Sequence, residues 1–276
     1  METVNSLSGG KTSSYLAVHW PADYEIFSLV CVDDVRCGHD DKAVMRYANE
    51  KLSDYASTYG EFVGTVESPV ILRTMMDLEQ RLGKEIVWVR GESFDKIIKR
   101  KGALPNQNTR WCTTEMKIRP IFEWCYMNTE LPVRMRVGYR MDEIERIERF
   151  TTSFKTSLVM NKVNKWRHKW TEVEWREGDF VLKNTSHERI QEFWMGESIV
   201  FPKDSNCQIC FWKDAQQILR NSVTNPNQIA WGNDKEVATG NRFNFKMTIQ
   251  QMLDMPMQLD FFETDGASCQ SGECTN

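Results

Sequence analysis

No apolar run in this chain of 276 residues approaches the length, roughly 20 residues, that a membrane span requires. Nor does the N-terminus carry the basic and apolar regions of a secretory signal, so a cytoplasmic protein of bacterial or viral origin, with no membrane partner, is expected. There is no excess of positive charge. The 35 Lys and Arg against 39 Asp and Glu leave a net −4, which removes any general electrostatic reason to bind nucleic acid and leaves only a local basic patch. Eight cysteines are few for a secreted disulfide scaffold of this size, and cytoplasmic thiols stay reduced. Internal repeats are missing, and only the Gly/Ser-rich tail after Asp265 reads as a loose terminus. What is present is an ordinary globular composition, 41% hydrophobic and 27% charged. The length suits one large α/β domain, or a domain with a C-terminal extension.

The first glycine of a Walker loop is absent too. Residues 6–13 read Ser-Leu-Ser-Gly-Gly-Lys-Thr-Ser, between the apolar start Val4–Leu7 and a helical run to His19. A glycine pair between strand and helix leaves backbone N–H groups unpaired at the positive end of the helix dipole, which suits a phosphate chain. The Walker motif needs a glycine five positions before Gly10, where Asn5 stands. A plain serine-capped turn is the bland alternative. The hexapeptide Ser8-Gly9-Gly10-Lys11-Thr12-Ser13 resembles the SGGxxS pyrophosphate loop of the PP-loop (N-type ATP pyrophosphatase) superfamily. That resemblance implies that these six residues hold the phosphates of ATP or a related adenine nucleotide, with Lys11 also serving catalysis and Mg²⁺ as a companion ion. Many members carry Asp where this chain has Thr12.

Strand-like and helix-like segments alternate through the first half. Val4–Leu7, Glu25–Val32, Phe62–Val66, Glu85–Val89 and Val133–Val137 read as strands. Lys11–His19, Asp41–Tyr59, Val70–Leu82, Glu115–Met127 and Glu188–Met195 read as helices. The pattern predicts an α/β fold: a mostly parallel twisted sheet with helices on both faces, Rossmann-like and of PP-loop type, plus a helical, cysteine-bearing C-terminal region. The expected division is a nucleotide-binding domain over 1–195, with an insertion at about 151–180, and a C-terminal region over 196–276 packing on it. Ligands of such sheets bind beyond the carboxyl ends of the strands, which places Asp33 beside the Ser8 loop. In the insertion, Lys165-Trp166-Arg167-His168-Lys169-Trp170 mixes cations with aromatics as single-strand binders do, yet Glu172, Glu174, Glu177 and Asp179 dilute it. Nucleic acid is therefore not the favoured partner.

Cys31 in a strand and Cys125 in a helix read as small buried hydrophobes, and Cys37 as part of a polar loop. Cys112 differs, because it opens a helix beside Arg110, Lys117 and Arg119, and a lowered thiol pKa is expected there. The pair Cys207-Gln-Ile-Cys210 reads equally as a redox dithiol, half a zinc site or an iron–sulfur knuckle. Residues 110–120 resemble the R-x-C-T-x-x-x-K-x-x-P block of the phosphoadenosine phosphosulfate reductase family. Gly138-Tyr139-Arg140-Met141-Asp142-Glu143-Ile144-Glu145-Arg146 resembles its G-x-R-x-D-E-x-x-R block. The blocks run in the family's order from residue 4 to about 215, closest to members common in phages and prophages.

The resemblance implies that Gly138, Arg140 and Asp142 contact the nucleotide, and that Arg140 and Arg146 act at its anionic end. It also implies that Cys112, Cys207 and Cys210, with Cys269 as a fourth ligand, hold a [4Fe–4S] cluster or zinc. Family reductases attack with a cysteine in Glu-Cys-Gly-x-His, whereas this chain ends Gly272-Glu273-Cys274-Thr275-Asn276 and makes Cys274 the corresponding catalytic cysteine. Three functions follow. The first is an enzyme acting at the ATP α-phosphate or on a sulfonucleotide, with an acceptor the sequence does not name. The second is an iron–sulfur-dependent sulfurtransferase acting on a nucleic acid or nucleobase, and the third is a nucleotide sensor without turnover.

Overall fold

In strand β1 (Thr3–Leu7), Val4 and Leu7 are both buried and belong to different apolar clusters, as a strand covered on its two faces requires. The structure, a computed structural model, describes residues 1–156, 171–204 and 206–257. Strands β2 (Tyr24–Ser28), β3 (Cys31–Val32), β4 (Gly64–Thr65), β5 (Ile86–Val89), β6 (Val133–Val137), β7 (Ser153–Thr156), β8 (Thr171–Glu174) and β9 (Arg176–Asp179) follow. Five of them form one parallel sheet in the order β5-β2-β1-β6-β9. β3 pairs with β4, and β7 with β8, as small antiparallel ribbons.

The helices are α1 (Lys11–His19), α2 (Lys42–Lys51), α3 (Ser53–Tyr59), α4 (Val70–Leu82), α5 (Phe94–Lys101), α6 (Trp111–Thr113), α7 (Arg119–Asn128), α8 (Ile144–Glu148), α9 (His187–Met195), α10 (Ala215–Thr224), α11 (Pro226–Thr239) and α12 (Ile249–Leu253). A widened π turn, Thr114–Ile118, joins α6 to α7. On one sheet face Leu7, Phe27 and Trp88 meet Leu16, Val44, Ile71 and Ile190. On the other, Val4, Ile26, Val89 and Met135 meet Ile121, Phe122 and Cys125 of α7. The expected α/β class, with helices on both faces, is what the chain adopts. A third cluster joins Phe94 and Ile97 to Ile209, Phe211, Ile218 and Trp231, so the C-terminal helices pack on α5. No helix among the described residues is long and apolar enough to cross a membrane.

Three differences from the sequence reading have local causes. The expected helix Asp41–Tyr59 breaks at Leu52, which ends α2 and begins α3. α5 was not anticipated, although Ser93 caps it through the Lys96 N–H and Phe94, Ile97 and Ile98 share its buried side. The stretch read as an insertion carries the antiparallel β7–β8 pair, but Arg176–Asp179 becomes the edge strand of the main sheet. That tetrapeptide has no strand signature of its own. It is held by the ladder with β6 and by Arg136 Nε donating to Asp179 at 2.9 Å.

The register sets Ser6 beside Val137, so the chain leaves β1 and β6 at the same edge. Gly9 makes the first turn at φ +74°, and a Cβ there would lie 2.2 Å from Ile71 Cγ1. Gly60 has a similar φ of +84° but nothing within 4 Å. Gly9→Ala is therefore expected to cost about 1–3 kcal/mol more than Gly60→Ala, the excess being overpacking against Ile71. Urea denaturation of the two variants measures it, and equal losses would mean that Ile71 yields freely.

Candidate functional site

The loop after β1 folds on itself. Ser13 Oγ accepts from the Ser8 N–H at 3.1 Å, lies 3.1 Å from Ser8 Oγ and donates to the Gly10 carbonyl at 3.2 Å. Gly10 is the N-cap of α1 in an extended conformation, and no side chain caps the helix there. First-turn N–H groups left without a side-chain acceptor, at the positive end of the helix, are an anion seat.

The turn after β6 closes against this loop. A Cβ on Gly138 would stand 3.1 Å from Thr12 Cγ2 and 3.4 Å from the Ser13 nitrogen, so the two backbones touch. Arg140 donates to Thr12 Oγ1 at 2.9 Å and grips both Asp142 oxygens at 3.0 Å. Those hydrogen bonds from Arg140 hold the Asp142 carboxyl below its usual range. Buried Glu143 lies 3.5 Å from Arg140 and also pairs with Arg146, whose guanidinium sits 4.8 Å from the Tyr139 ring centroid. Lys11 donates to Gln191 of α9, and the Gln191 amide lies 2.9 Å from His187 Nε2.

Both turns open into a pocket of about 270 Å³. Its lining includes six cations, Lys11, Lys117, Arg140, Arg146, Arg176 and Lys203, against two carboxylates, Glu143 and Asp204. A chain of net charge −4 thus gathers an excess of cations around this pocket, a setting that suits an anionic ligand. Tyr139, Phe150 and Trp175 supply apolar wall.

Lys117 comes from the π turn, whose Met116 carbonyl accepts from Ser28 Oγ at 2.8 Å. Its ammonium bonds Glu67 Oε1 at 2.9 Å, with Glu67 fully buried. Burial pulls the Lys117 pKa down, but the charge and hydrogen bond of the Glu67 carboxylate push it back, and it stays above the ordinary value.

Cys112, Cys207 and Cys210 share this neighbourhood, close enough to influence one another's titration. The lowered pKa expected for Cys112 is not found. Burial pushes its thiol up, and Lys117 and Arg110 only partly offset that. Burial likewise pushes Cys210 up to about 12 and Cys207 well above its ordinary value. Among the described residues no three His, Cys, Asp or Glu side chains are arranged to hold a metal ion, so these thiols as placed are not a ready ligand set. Cys269 and Cys274, and the basic–aromatic segment 165–170, lie outside the described residues.

Of the residues singled out from sequence, Ser8, Gly10, Lys11, Thr12, Ser13, Gly138, Arg140 and Arg146 line one pocket. Gly9 lies beneath it against Ile71, and Asp142 reaches it through Arg140. Asp33 is elsewhere, its carboxylate accepting from Ser93 Oγ at 2.8 Å. Glu67, Arg176, His187 and Gln191 were not foreseen, since each reaches the site only through tertiary packing.

No known family's sequence profile matches this chain, and no curated protein matches it. Among solved structures, phosphoadenylyl-sulfate (PAPS) reductase from Candida auris, in a phosphate complex, is 9% identical with a TM-score of 0.38, over 73% of this chain and 75% of that one. The U34-tRNA thiolase NcsA from Methanococcus maripaludis, with its [4Fe–4S] cluster, is 12% identical with a TM-score of 0.39, over 96% of this chain and 77% of that one.

The Glu67–Lys117 pair makes the pocket wall depend on charge balance. Lys117→Met leaves a carboxylate buried alone and is expected to cost about 3–5 kcal/mol, with partial recovery when Glu67→Gln is added. Denaturant midpoints of the single and double variants test this; a double variant no more stable than the single would remove the pair from the account.

Proposed function

We propose that the chain is a PP-loop-type enzyme that seats ATP or a related adenine nucleotide with its phosphates in the Ser8–Ser13 loop. It acts at the α-phosphate, by adenylyl transfer with release of pyrophosphate, or on a sulfonucleotide. The observation that carries this reading is the uncapped start of α1 at the mouth of a pocket lined by Lys11, Arg140 and Arg146. In adenylyl transfer an acceptor oxygen or nitrogen attacks the α-phosphorus and the bond to the pyrophosphate oxygen breaks. Charge then grows on the leaving group, where preorganised N–H groups and guanidinium ions act most strongly. The Ser8 and Ser13 hydroxyls hold the loop's shape, and Glu143 holds Arg140 and Arg146 in place before the ligand arrives.

Sulfur transfer is the second reading, supported by the gathering of Cys112, Cys207 and Cys210 near Lys117. Anaerobic purification followed by metal and acid-labile sulfide analysis distinguishes the two: adenylyl transfer alone needs neither.

Gly10→Val adds bulk where the phosphates sit without demanding an unusual φ, so a folded variant is expected to bind ATP at least about 30-fold more weakly by calorimetry. Arg140→Ala is expected to lower kcat/KM by about 100-fold or more, because its guanidinium faces the charge that develops. Single-turnover assays with labelled ATP and candidate acceptors check both. Nucleotide returned intact with every acceptor would leave a sensor rather than an enzyme, and unchanged affinity in Gly10→Val would sink the loop assignment.

A further inference from the structure

Opposite Val133, at the end of β6 away from the Gly138 turn, a buried cation lacks a counter-ion and a buried N–H next to it lacks an acceptor among the described residues. Arg176 is 6% exposed, with its guanidinium carbon 4.1 Å from the Phe150 ring centroid and 4.6 Å from that of Trp175. Among the described residues its hydrogen bonds go to neutral acceptors: Nε to the Thr151 carbonyl at 2.8 Å, Nη2 to Thr151 Oγ1 at 3.4 Å and Nη1 to Met135 Sδ at 3.5 Å. No Asp or Glu among the described residues compensates its charge, whereas Arg136, Arg140 and Arg146 each have a carboxylate. Burial pulls the Arg176 pKa down to about 10, which still leaves the group charged at neutral pH. Trp175 is fully buried, and its Nε1–H has no acceptor among the described residues. Both residues are among those lining the pocket. An unpaired buried cation and an unpaired buried N–H are each costly, and a single oxyanion would satisfy both.

We propose that this end of the pocket is a second anion site, in which Arg176 and the Trp175 Nε1–H hold a carboxylate, phosphate or sulfate group of the acceptor. The term acceptor rests on the adenylyl-transfer reading; the anion site itself does not. Phe150 and Trp175 press on the guanidinium and fix its direction, so the oxyanion is read by geometry as well as by charge.

The Trp175 indole N–H is its own local reporter, assigned in ¹H–¹⁵N spectra by its loss in Trp175→Phe. Sulfate and benzoate are titrated separately into the Gly10→Val chain, whose phosphate loop is disabled, so the outcome is independent of whether ATP binds at Ser8. A saturable shift is expected with at least one anion, and the preferred one identifies the acceptor's group as tetrahedral or planar. Affinity is expected to fall at least about 10-fold in Arg176→Gln. Should Arg176→Gln fail to fold, Arg176→Lys, which keeps the charge and loses the fork, is expected to bind several-fold more weakly. No shift with either anion, or equal affinity in the Arg176 variants, overturns the site. If ATP alone shifts the same resonance in the unaltered chain and blocks both anions, the oxyanion is the nucleotide's and its assignment to the acceptor is overturned.

Discussion

The contact between two backbone turns at the carboxyl edge of the sheet governs the rest of this molecule. Because β1 and β6 run parallel as neighbours, the chain emerges at Ser8 and at Gly138 side by side, so close that a Cβ at Gly138 would press on the Thr12 methyl at 3.1 Å. That contact presents Arg140 to Thr12 and carries Arg146 to the same wall. Gly9 sets the other boundary by packing the loop onto Ile71 of α4. The glycine loop is thus held from the β6 side and from below, and its geometry follows from sheet order rather than from the loop sequence alone.

Charge is distributed on the same logic. Two of the buried carboxylates serve the pocket: Glu143 pairs with two arginines and Glu67 holds one lysine. They anchor cations against the protein while leaving the pocket positive, so an anionic ligand meets groups already fixed in place. The thiols lie just behind this layer, where loss of water outweighs the nearby cations and keeps them protonated.

What could be read from the residues was local. The glycine pair, the serines around it and the alternation of apolar runs each carry their signal within a few positions, so α1, α4 and β6 are found as expected. The rest of the pocket was illegible for the opposite reason. Arg176-Glu-Gly-Asp has no strand-forming residues and becomes a strand only because β6 offers an open edge. Gln191 and His187 stand about 180 positions from Lys11 and meet it only once α9 has docked on α1. The acidity of Cys112 was misjudged because neighbouring cations are visible in a sequence and burial is not.

That last docking bears on how the chain comes to be folded. Trp194 of α9 donates to the Lys11 carbonyl at 2.9 Å, so the first helix and a helix almost the length of the domain away are fastened at the mouth of the pocket. Closing such a long loop is entropically costly and comes late, after nearby segments have already paired. A nascent chain emerging N-terminus first therefore holds the glycine loop early but lacks the complete pocket until residues beyond 190 have been made. Any ligand that needs the whole pocket then binds only the finished fold and stabilises it by mass action, so its supply raises the share of newly made chain that stays folded.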